Sequence, residues 1–164
     1  MVTGARAGCL GFAAVVACFA LSSKAAAYVP DPWERQVVAS CLVLEASSDG
    51  PVGLMAVANV ISNRADGDPR RFYREVKKPY AFSSMNAATR GNTAGKGYAP
   101  LVQRASRDPN WGLALKVVDR LYAGTLQDVT GGATHFSLKK ERATWMSRMK
   151  VTAIIGSHKF MKQP

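Results

Sequence analysis

Residues 37–64, VVASCLVLEASSDGPVGLMAVANVISNR, constrain the fold more than any other part of the chain. Apart from the polar interruption SSDGP at residues 47–51, the stretch is almost entirely apolar or small, so both of its halves have to be buried. The Gly-Pro pair between the halves is typical of a turn. The stretch therefore predicts two buried helices that pack against each other. An Asp-Pro pair at residues 31–32 is typical of the start of the first helix, which we expect to end near Ala46, and Pro51 opens the second.

One glutamate interrupts the apolar pattern of the first helix. At about 100° per residue, Val37, Cys41 and Glu45 follow one another along the same face, so Glu45 falls in the middle of the apolar arc. Desolvation and the nearby C-terminal end of the helix both favour the protonated carboxyl. A carboxyl that keeps its proton near neutral pH is what a glycosidase needs as its general acid. The alternative is that Glu45 pairs with a basic side chain or reaches solvent at the helix end.

Two other side chains of the first helix carry expectations. Glu34 stands three residues after Asp31, which is the spacing of a capping box, where each side chain binds the backbone N–H of the other residue. Cys41 is the one cysteine after residue 27, so an intramolecular disulfide is excluded there. Its place on the apolar face predicts a small core residue.

The remainder of the chain predicts shorter helices followed by a small antiparallel element. After the break at DGDP, residues 69–78 indicate a short basic helix, and an Asp-Pro start indicates a longer helix within residues 108–124. The apolar stripe expected for the longer helix is Trp111, Leu115, Val118 and Tyr122. Residues 86–100 are typical of a long surface loop, and residues 133–138 and 151–160 predict one short strand each. The expected fold class is a single α+β domain with its helices first.

The first 27 residues have the three parts of a secretory signal peptide. A positive start at Arg6 is followed by an uncharged apolar run and by an A-x-A cleavage site that ends at Ala27. We expect residues 1–27 to be removed, residues 28–164 to form the mature domain, and the protein to be exported to the periplasm, the cell wall or the outside of the cell. Membrane contact would be transient and made through the leader only. A buried N-terminal helix, a lipoprotein site at Cys18 and a reversible anchor are the alternatives.

The chain is strongly basic, with a net charge of +11 and a pI of about 10.0. A charge of this size says more about partners than about fold, and it favours nucleic acid, an anionic membrane or an anionic wall polymer. Export removes the first of these, so we expect no nucleic-acid partner and favour a wall polymer. The basic run at residues 70–78 would then hold the protein on its substrate by an attraction that salt weakens.

Four segments in order along the chain resemble those of one known family. Glu45-Ala46 and the later AVANVISNR match an apolar helix that ends in "EA" and the helix after it, while AFSSMN, GATHFSL and IGSHKFM match three later landmarks. In these motifs the chain resembles the SleB-like cell-wall hydrolases, named for a spore-cortex lytic enzyme, over about residues 34–161. The resemblance implies a compact lysozyme-like or lytic-transglycosylase-like fold. It also implies cleavage of the glycan strand of peptidoglycan, with Glu45 as the catalytic residue.

The chain departs from the family pattern at three places. Asp49 stands where the family has a second glutamate, Ala81 replaces a glutamine, and Ser-Leu-Lys at residues 137–139 replaces a tyrosine followed by Asn-Pro. These changes concern substrate contacts more than the catalytic acid. The side chains expected to bind substrate are Asp49, Ser83, Thr134, His135 and His158. Each has a structural alternative, as a helix cap, a backbone cap or a histidine that fixes strand geometry.

Glu45 alone can carry the chemistry of a lytic transglycosylase. It would protonate the oxygen between N-acetylmuramic acid and N-acetylglucosamine and then, once ionised, take the proton of the muramic 6-hydroxyl. The product is an anhydro sugar, and no water is consumed. A conventional glycosidase would use two carboxylates, and Asp49, across the turn from Glu45, is the candidate for the second unless it only caps a helix.

We expect no metal and no cofactor, because His135 and His158 lack the close spacing of zinc ligands, and we expect a monomer. Three rival hypotheses remain open at this stage. The first is an exported protein that binds peptidoglycan without cleaving it, and the second is a metal-dependent amidase or endopeptidase that uses Glu45 with both histidines. The third is a cationic protein that permeabilises membranes.

Overall fold

The computed structural model describes residue 1, residues 28–89 and residues 97–164, so the predicted leader lies outside the described residues except for Met1. The helices are α1 (Pro32–Ala46), α2 (Gly50–Arg64), α3 (Pro69–Lys77), α4 (Asn86–Thr89), α5 (Ala99–Ala105) and α6 (Trp111–Tyr122). The strands are β1 (His135–Leu138), β2 (Lys150–Ile155) and β3 (His158–Lys162), and short 3₁₀ turns lie at Ser47–Asp49, Ser83–Met85 and Thr144–Arg148. The predicted α+β class, with helices first and an antiparallel element last, is confirmed.

The two apolar halves of residues 37–64 form α1 and α2, as predicted, and the two helices pack against each other. Asp31 caps α1 by accepting the N–H of Glu34 at 2.8 Å, and α2 begins at Gly50, one residue before Pro51. Their fully buried side chains include Val37, Val38, Cys41, Leu42, Leu54, Val57 and Ile61. Burial of a Val, Leu or Ile side chain contributes about 1.5–3 kcal/mol, so this helix pair supplies a large share of the hydrophobic stabilisation.

Pro32–Arg64 is the one helical stretch in residues 28–89 and 97–164 that is long and apolar enough to cross a membrane. It contains both α1 and α2, which a 3₁₀ turn separates. Because 50% of its apolar window is buried inside the fold, the stretch has the character of core helices, which pass the same test of length and composition.

Glu34 departs from the predicted capping box. Its backbone N–H binds Asp31, but its buried carboxylate accepts hydrogen bonds from the hydroxyls of Tyr28 at 2.7 Å and Tyr122 at 2.8 Å. The bond to this carboxylate raises the pKa of Tyr28 to about 12. Burial, together with the same carboxylate, raises the pKa of Tyr122. Tyr28 also stacks on Tyr122, with ring centroids 5.9 Å apart, so the start of the domain is fixed to α6.

The buried face of α6 differs from the predicted stripe. Its buried side chains are Ala114, Val117, Val118, Leu121 and Tyr122. Trp111 and Leu115, which the predicted stripe included, are only partly buried. The core side of this helix carries small residues such as Ala114, and a stripe chosen by the bulkiest side chains does not reveal such a face.

The prediction of a long loop over residues 86–100 is also wrong in part. Its first residues form the short helix α4, and its last two begin α5 at Ala99. Residues 90–96 lie outside the described part of the chain. Pro100 suits the first turn of a helix, because proline has no backbone N–H to leave unpaired there, and this is the signal that the loop prediction overlooked.

The C-terminal sheet has the strand order β1-β3-β2 and both of its pairings are antiparallel. Residues 151–160, predicted as a single strand, instead form a hairpin. Gly156 has a φ of 55° and reverses the chain together with Ser157. This backbone conformation favours glycine, which has no Cβ to clash. β3 is therefore the central strand, and its Phe160 lies opposite Phe136 of β1.

The sheet is attached to α2 by an apolar cluster and by hydrogen bonds. The cluster consists of Ala56, Val60, Ala133 and Phe160. The side-chain amide of Asn63 donates to the carbonyl of Ala133 at 3.0 Å, and Arg64 Nε donates to the carbonyl of Thr134 at 2.6 Å. These bonds hold Thr134 and the start of β1, where the predicted substrate residue His135 lies, against the end of α2.

Candidate active site

A cleft of about 380 Å³ opens beside the end of α1. Its walls come from segments that are far apart in sequence, namely α1, α2, the segment before α4, β1, the segment after β1, and β3. The side chains that line it include Glu45, Arg64, Tyr80, Ser83, Phe136, Glu141, Trp145 and His158. Its volume lies in the range of about 300–1,000 Å³ that is common for ligand sites.

Glu45 projects into this cleft from the last turn of α1. The backbone N–H of Ser84 donates to Glu45 Oε1 at 2.7 Å, and the hydroxyl of Ser83 donates to the same oxygen at 3.3 Å. The predicted helix face is therefore correct, since Val37 and Cys41, which precede Glu45 at intervals of four residues, are fully buried. The alternative of an ion pair is not supported, because within residues 28–89 and 97–164 no Lys or Arg nitrogen lies within 4.0 Å of this carboxylate.

Arg64 supplies a fixed positive charge in the same cleft. Its Nε binds the carbonyl of Thr134, its Nη1 donates to the carbonyl of Ala81 at 3.1 Å, and its guanidinium lies 4.9 Å from the ring centroid of Phe82. Burial lowers the pKa of Arg64 from its ordinary value, and the negative charge of Glu45 acts in the opposite direction. The guanidinium therefore ties the end of α2 to both neighbouring segments and faces the catalytic candidate through space.

Asp49 occupies a different place from the substrate contact that the sequence predicts. Its side chain is only 5% exposed, and its Oδ2 lies 2.5 Å from Nδ1 of His158. Its Oδ1 accepts the backbone N–H of Ser157 at 2.7 Å. Asp49 thus joins the α1–α2 turn to the β2–β3 turn and orients His158, and it is not among the side chains that line the cleft of Glu45.

Two opposing influences act on the Asp49 carboxyl. Burial raises its pKa, but the hydrogen bonds from His158 and from Ser157 outweigh burial and hold the pKa of Asp49 below its ordinary value. The carboxylate is therefore charged at neutral pH. Because His158 uses Nδ1 for this bond, any hydrogen bond from its ring to a ligand in the cleft has to be made by Nε2.

Thr134 and His135 lie in an adjoining cavity of about 440 Å³, which Arg64 and Tyr80 also line. The hydroxyl of Thr134 and Nδ1 of His135 are 2.9 Å apart. Burial and the charge of Arg64 lower the pKa of His135, so the neutral ring is favoured. The structure thus brings Ser83 and His158 to the Glu45 cleft, Thr134 and His135 to its neighbour, and Asp49 to a position behind His158.

Two cleft residues escape sequence reasoning, Glu141 and Trp145. Both belong to the irregular segment between β1 and β2, where no periodic pattern predicts which way a side chain points. A compositional signal was available, because Glu141 is the only acidic residue in residues 135–164, which hold seven Lys and Arg. Trp145 is 47% exposed, and a large exposed aromatic side chain beside a cleft is a common mark of a binding surface.

The basic run at residues 70–78 is less free than the sequence suggests. Arg70 pairs with Asp68 at 2.9 Å, and Arg71 pairs with Asp66 at 2.7 Å. Lys78 pairs with the buried Glu75 at 2.7 Å. Most of the charge expected to hold a wall polymer is thus partly neutralised by neighbours.

The described residues contain no group of three or more His, Cys, Asp or Glu side chains that could hold a metal ion. His158 is bound to Asp49, and His135 lies in the adjoining cavity, so the two histidines are not arranged around Glu45 as a zinc-dependent amidase would require.

Comparison with known proteins gives the family. The family model described as Cell Wall Hydrolase matches residues 48–161, and the chain belongs to this family. No relative among curated protein sequences matches the chain. The family match confirms the prediction made from the motifs and identifies an enzyme that cleaves the peptidoglycan of the cell wall. It begins three residues after Glu45, so it does not bear on the role of that residue.

Two solved structures share the fold. One is the catalytic domain of the germination-specific lytic transglycosylase SleB from Bacillus anthracis, with 24% sequence identity, a TM-score of 0.58, and coverage of 82% of this chain and 100% of that one. The other is the catalytic domain of the Bacillus cereus SleB protein, with 22% identity, a TM-score of 0.55, and coverage of 82% and 95%. These similarities confirm the predicted type of fold.

Proposed function

We propose that the enzyme cleaves the glycan strand of peptidoglycan with Glu45 as both general acid and general base. The observation that carries this proposal is the placement of Glu45, whose carboxyl group ends an apolar helix face, enters a cleft and is oriented by Ser84 N–H at 2.7 Å. A positioned carboxyl within reach of a ligand is the first requirement for acid–base catalysis. The SleB protein with the same fold is described as a lytic transglycosylase, which supports the same bond as the target.

The reaction requires two proton transfers, one from Glu45 to the leaving oxygen and one from the muramic 6-hydroxyl to Glu45. The carboxylic acid of Glu45 gives its proton to the oxygen between N-acetylmuramic acid and N-acetylglucosamine, and the bond from the muramic C1 to that oxygen breaks. The muramic 6-hydroxyl then bonds to C1 and returns its proton to Glu45, so the enzyme is regenerated and an anhydro sugar is released. Ser83 and Ser84 hold the carboxyl group during both transfers.

The remaining cleft residues act on the substrate and on one another. We assign Ser83 and Nε2 of His158 to sugar hydroxyl or N-acetyl groups in the cleft, and Thr134 and His135 to the part of the strand in the adjoining cavity. Asp49 is a positioning residue, because it acts through His158.

A second candidate reaction is hydrolysis by two carboxylates. Glu141 lines the same cleft as Glu45, and this observation favours a muramidase in which Glu141 activates a water molecule. The two reactions differ in the fate of water, so their products distinguish them. Digestion of purified sacculi in ¹⁸O-water should give unlabelled anhydro ends for the transglycosylase and ¹⁸O-labelled reducing ends for the muramidase.

Glu45→Gln is the central test of the proposal. The amide keeps the size and most hydrogen bonds of the side chain but cannot transfer a proton. We expect the clearance rate of sacculi to fall by a factor of about 10²–10⁴, with little change in the melting temperature. Glu141→Gln is the matched control, and it should retain most activity if Glu45 works alone. A folded Glu45→Gln protein that clears sacculi at the wild-type rate would contradict the assignment.

The same digestion separates the rival functions. Free stem peptides and loss of activity with a chelator would indicate the metal-dependent amidase or endopeptidase. Binding to sacculi without any released fragment would indicate a protein that only binds the wall. Leakage from protein-free anionic vesicles would indicate membrane permeabilisation.

Export by a cleaved leader is part of the proposal, as are a transient membrane contact through that leader and a monomeric mature protein. The packing of Tyr28 supports the expected boundary, because its hydroxyl binds Glu34 and its ring stacks on Tyr122 from the first residue of the proposed mature domain. The N-terminal sequence of secreted protein should begin at Tyr28. A secreted chain that retains Met1 would contradict cleavage.

A further inference from the structure

A further cavity, of about 1060 Å³, also adjoins the cleft of Glu45 and has no role in the reaction described above. Trp145 lines both the cleft and this cavity, so a polymer that lies across Glu45 can continue into it. The other side chains that define its chemistry are His135, Ser147 and Arg148. Its volume exceeds what a single sugar ring needs, which leaves space for a substituent on the glycan strand.

Arg148 gives the cavity a free positive charge. It is exposed, and no carboxylate lies within 4.0 Å of it among the described residues, in contrast to the paired arginines Arg70 and Arg71 of α3. The guanidinium group of arginine presents a planar fork of donors that matches a carboxylate in two parallel hydrogen bonds. Arg148 is therefore suited to bind an anionic group of the substrate.

Trp145 gives the cavity an apolar wall next to that charge. Its ring is 47% exposed and lies 5.8 Å from the ring of His135, measured between centroids. Aromatic side chains bind ligands that present one apolar and one polar side, as a sugar ring does. The combination of an aromatic surface and an unpaired arginine fits a sugar that bears an acidic substituent.

We propose that this cavity binds the peptide stem of a muramic residue, with Arg148 bound to a stem carboxylate and Trp145 against the sugar that carries the stem. The enzyme would then distinguish glycan strands that carry stems from strands that have lost them. This inference rests on the proposed function, because it assumes that a glycan strand occupies the cleft of Glu45. The phosphates of an accessory wall polymer would offer Arg148 the same anionic chemistry, and the substrates below separate the two sources.

The test compares Arg148→Gln with the wild type on two substrates. The first is purified glycan strands that carry stems and have been freed of accessory polymers, and the second is the same strands after an amidase has removed the stems. We expect Arg148→Gln to lower the cleavage rate on stem-bearing strands, at subsaturating concentration, by roughly tenfold to a hundredfold. The rate on stem-free strands should not change. Arg107→Gln, an exposed arginine on the helical part of the molecule, is the matched control and should leave both rates unchanged.

A binding measurement keeps the inference separate from the proposed catalysis. In the Glu45→Gln background, Arg148→Gln should weaken the affinity for stem-bearing fragments by a similar factor and leave the affinity for stem-free fragments unchanged. Equal losses on both substrates, or no loss on either, would overturn the role of Arg148. An effect seen only when phosphate-containing polymers are left on the strands would overturn the stem in favour of phosphate. If instead the binding result holds and the wild type cleaves no strand, the proposed catalysis fails while the stem site stands.

Discussion

The helix pair α1–α2 and the C-terminal segment of residues 135–162 are built in contrasting ways. Pro32–Arg64 contains two basic and three acidic residues, and most of its apolar side chains are fully buried. The C-terminal segment contains seven basic residues and one acidic residue, and it leaves large apolar side chains such as Val151 and Ile154 exposed. The catalytic candidate Glu45 stands on the rigid, nearly neutral part, whereas the groups suited to an anionic polymer stand on the open, basic part.

This contrast indicates that the helix pair mainly determines stability, whereas the C-terminal segment mainly determines substrate binding. Apolar packing around α1 fixes the direction of Glu45. Changes in the helix pair should therefore lower stability, and any loss of activity should follow from that loss of stability. Changes in the C-terminal segment should alter binding first, because its side chains have fewer packing partners to lose. The following substitutions, ordered from the largest expected effect to the smallest, test that division.

Leu42→Ala should have the largest effect on stability. Leu42 is fully buried, and removal of a buried leucine side chain costs the lost burial and leaves a cavity, together about 2–5 kcal/mol. Ile154→Ala on β2 is the comparison, because Ile154 is 65% exposed and its loss should change stability by no more than about 0.5 kcal/mol. Urea unfolding of both variants measures the difference. Similar losses in the two variants would break the proposed division.

Gly156→Ala should disturb the contact of Asp49 with His158 and Ser157, which joins the two regions beside the cleft. A Cβ at Gly156 would lie 2.2 Å from Cγ of Asp49, and the φ of 55° is itself unfavourable for alanine. Gly124→Ala is the matched control, since Gly124 has a φ of 67° with no atom within 4 Å of the added Cβ. We expect Gly156→Ala to cost about 1–3 kcal/mol more than the control, because only it forces atoms apart. Equal melting temperatures would show that the hairpin shifts freely.

Asp49→Asn should make the free energy of unfolding less dependent on pH in the acid range. The folded-state pKa of Asp49 lies below its ordinary value of 3.8, so its charge stabilises the fold above that value and loses this effect as the pH falls through the folded pKa. At neutral pH the free energy of unfolding of the wild type should exceed that of Asp49→Asn by about 1 kcal/mol. This difference should disappear in acid. Melting temperatures from pH 7 down to the acid limit of folding measure this gap. A gap that widens as the pH falls would contradict the sign.

Replacement of Lys139 and Lys140 by glutamine should have the smallest effect, on wall binding alone. Both are exposed and line a cavity next to the β2–β3 turn. We expect sacculus binding to weaken about two- to fivefold at low salt, with no difference at about 1 M salt, where charges are screened within about 3 Å. The matched double variant, Arg74→Gln with Lys77→Gln on α3, should have less effect. A larger loss from the α3 variant would restore the basic run at residues 70–78 as the main wall contact.

The sequence predicts the helical half of the molecule well for a physical reason. Helical periodicity is local, so the spacing of Val37, Cys41 and Glu45 already contains the face on which the carboxyl group lies. The role of Asp49 could not be predicted in this way, because its partner His158 comes from the other end of the chain. Glu141 was missed because an irregular segment has no period from which the direction of its side chain could be calculated.

The bond between Asp49 and His158 also determines the order in which the parts of the site can assemble during synthesis. A chain is synthesised from its N-terminus, so Asp49 emerges 109 residues before its partner His158. Until the C-terminal hairpin packs against the α1–α2 turn, Glu45 stands on α1 but the cleft around it is incomplete. The cleft around Glu45, which His158 also lines, is therefore complete only after the β2–β3 hairpin has packed against the α1–α2 turn.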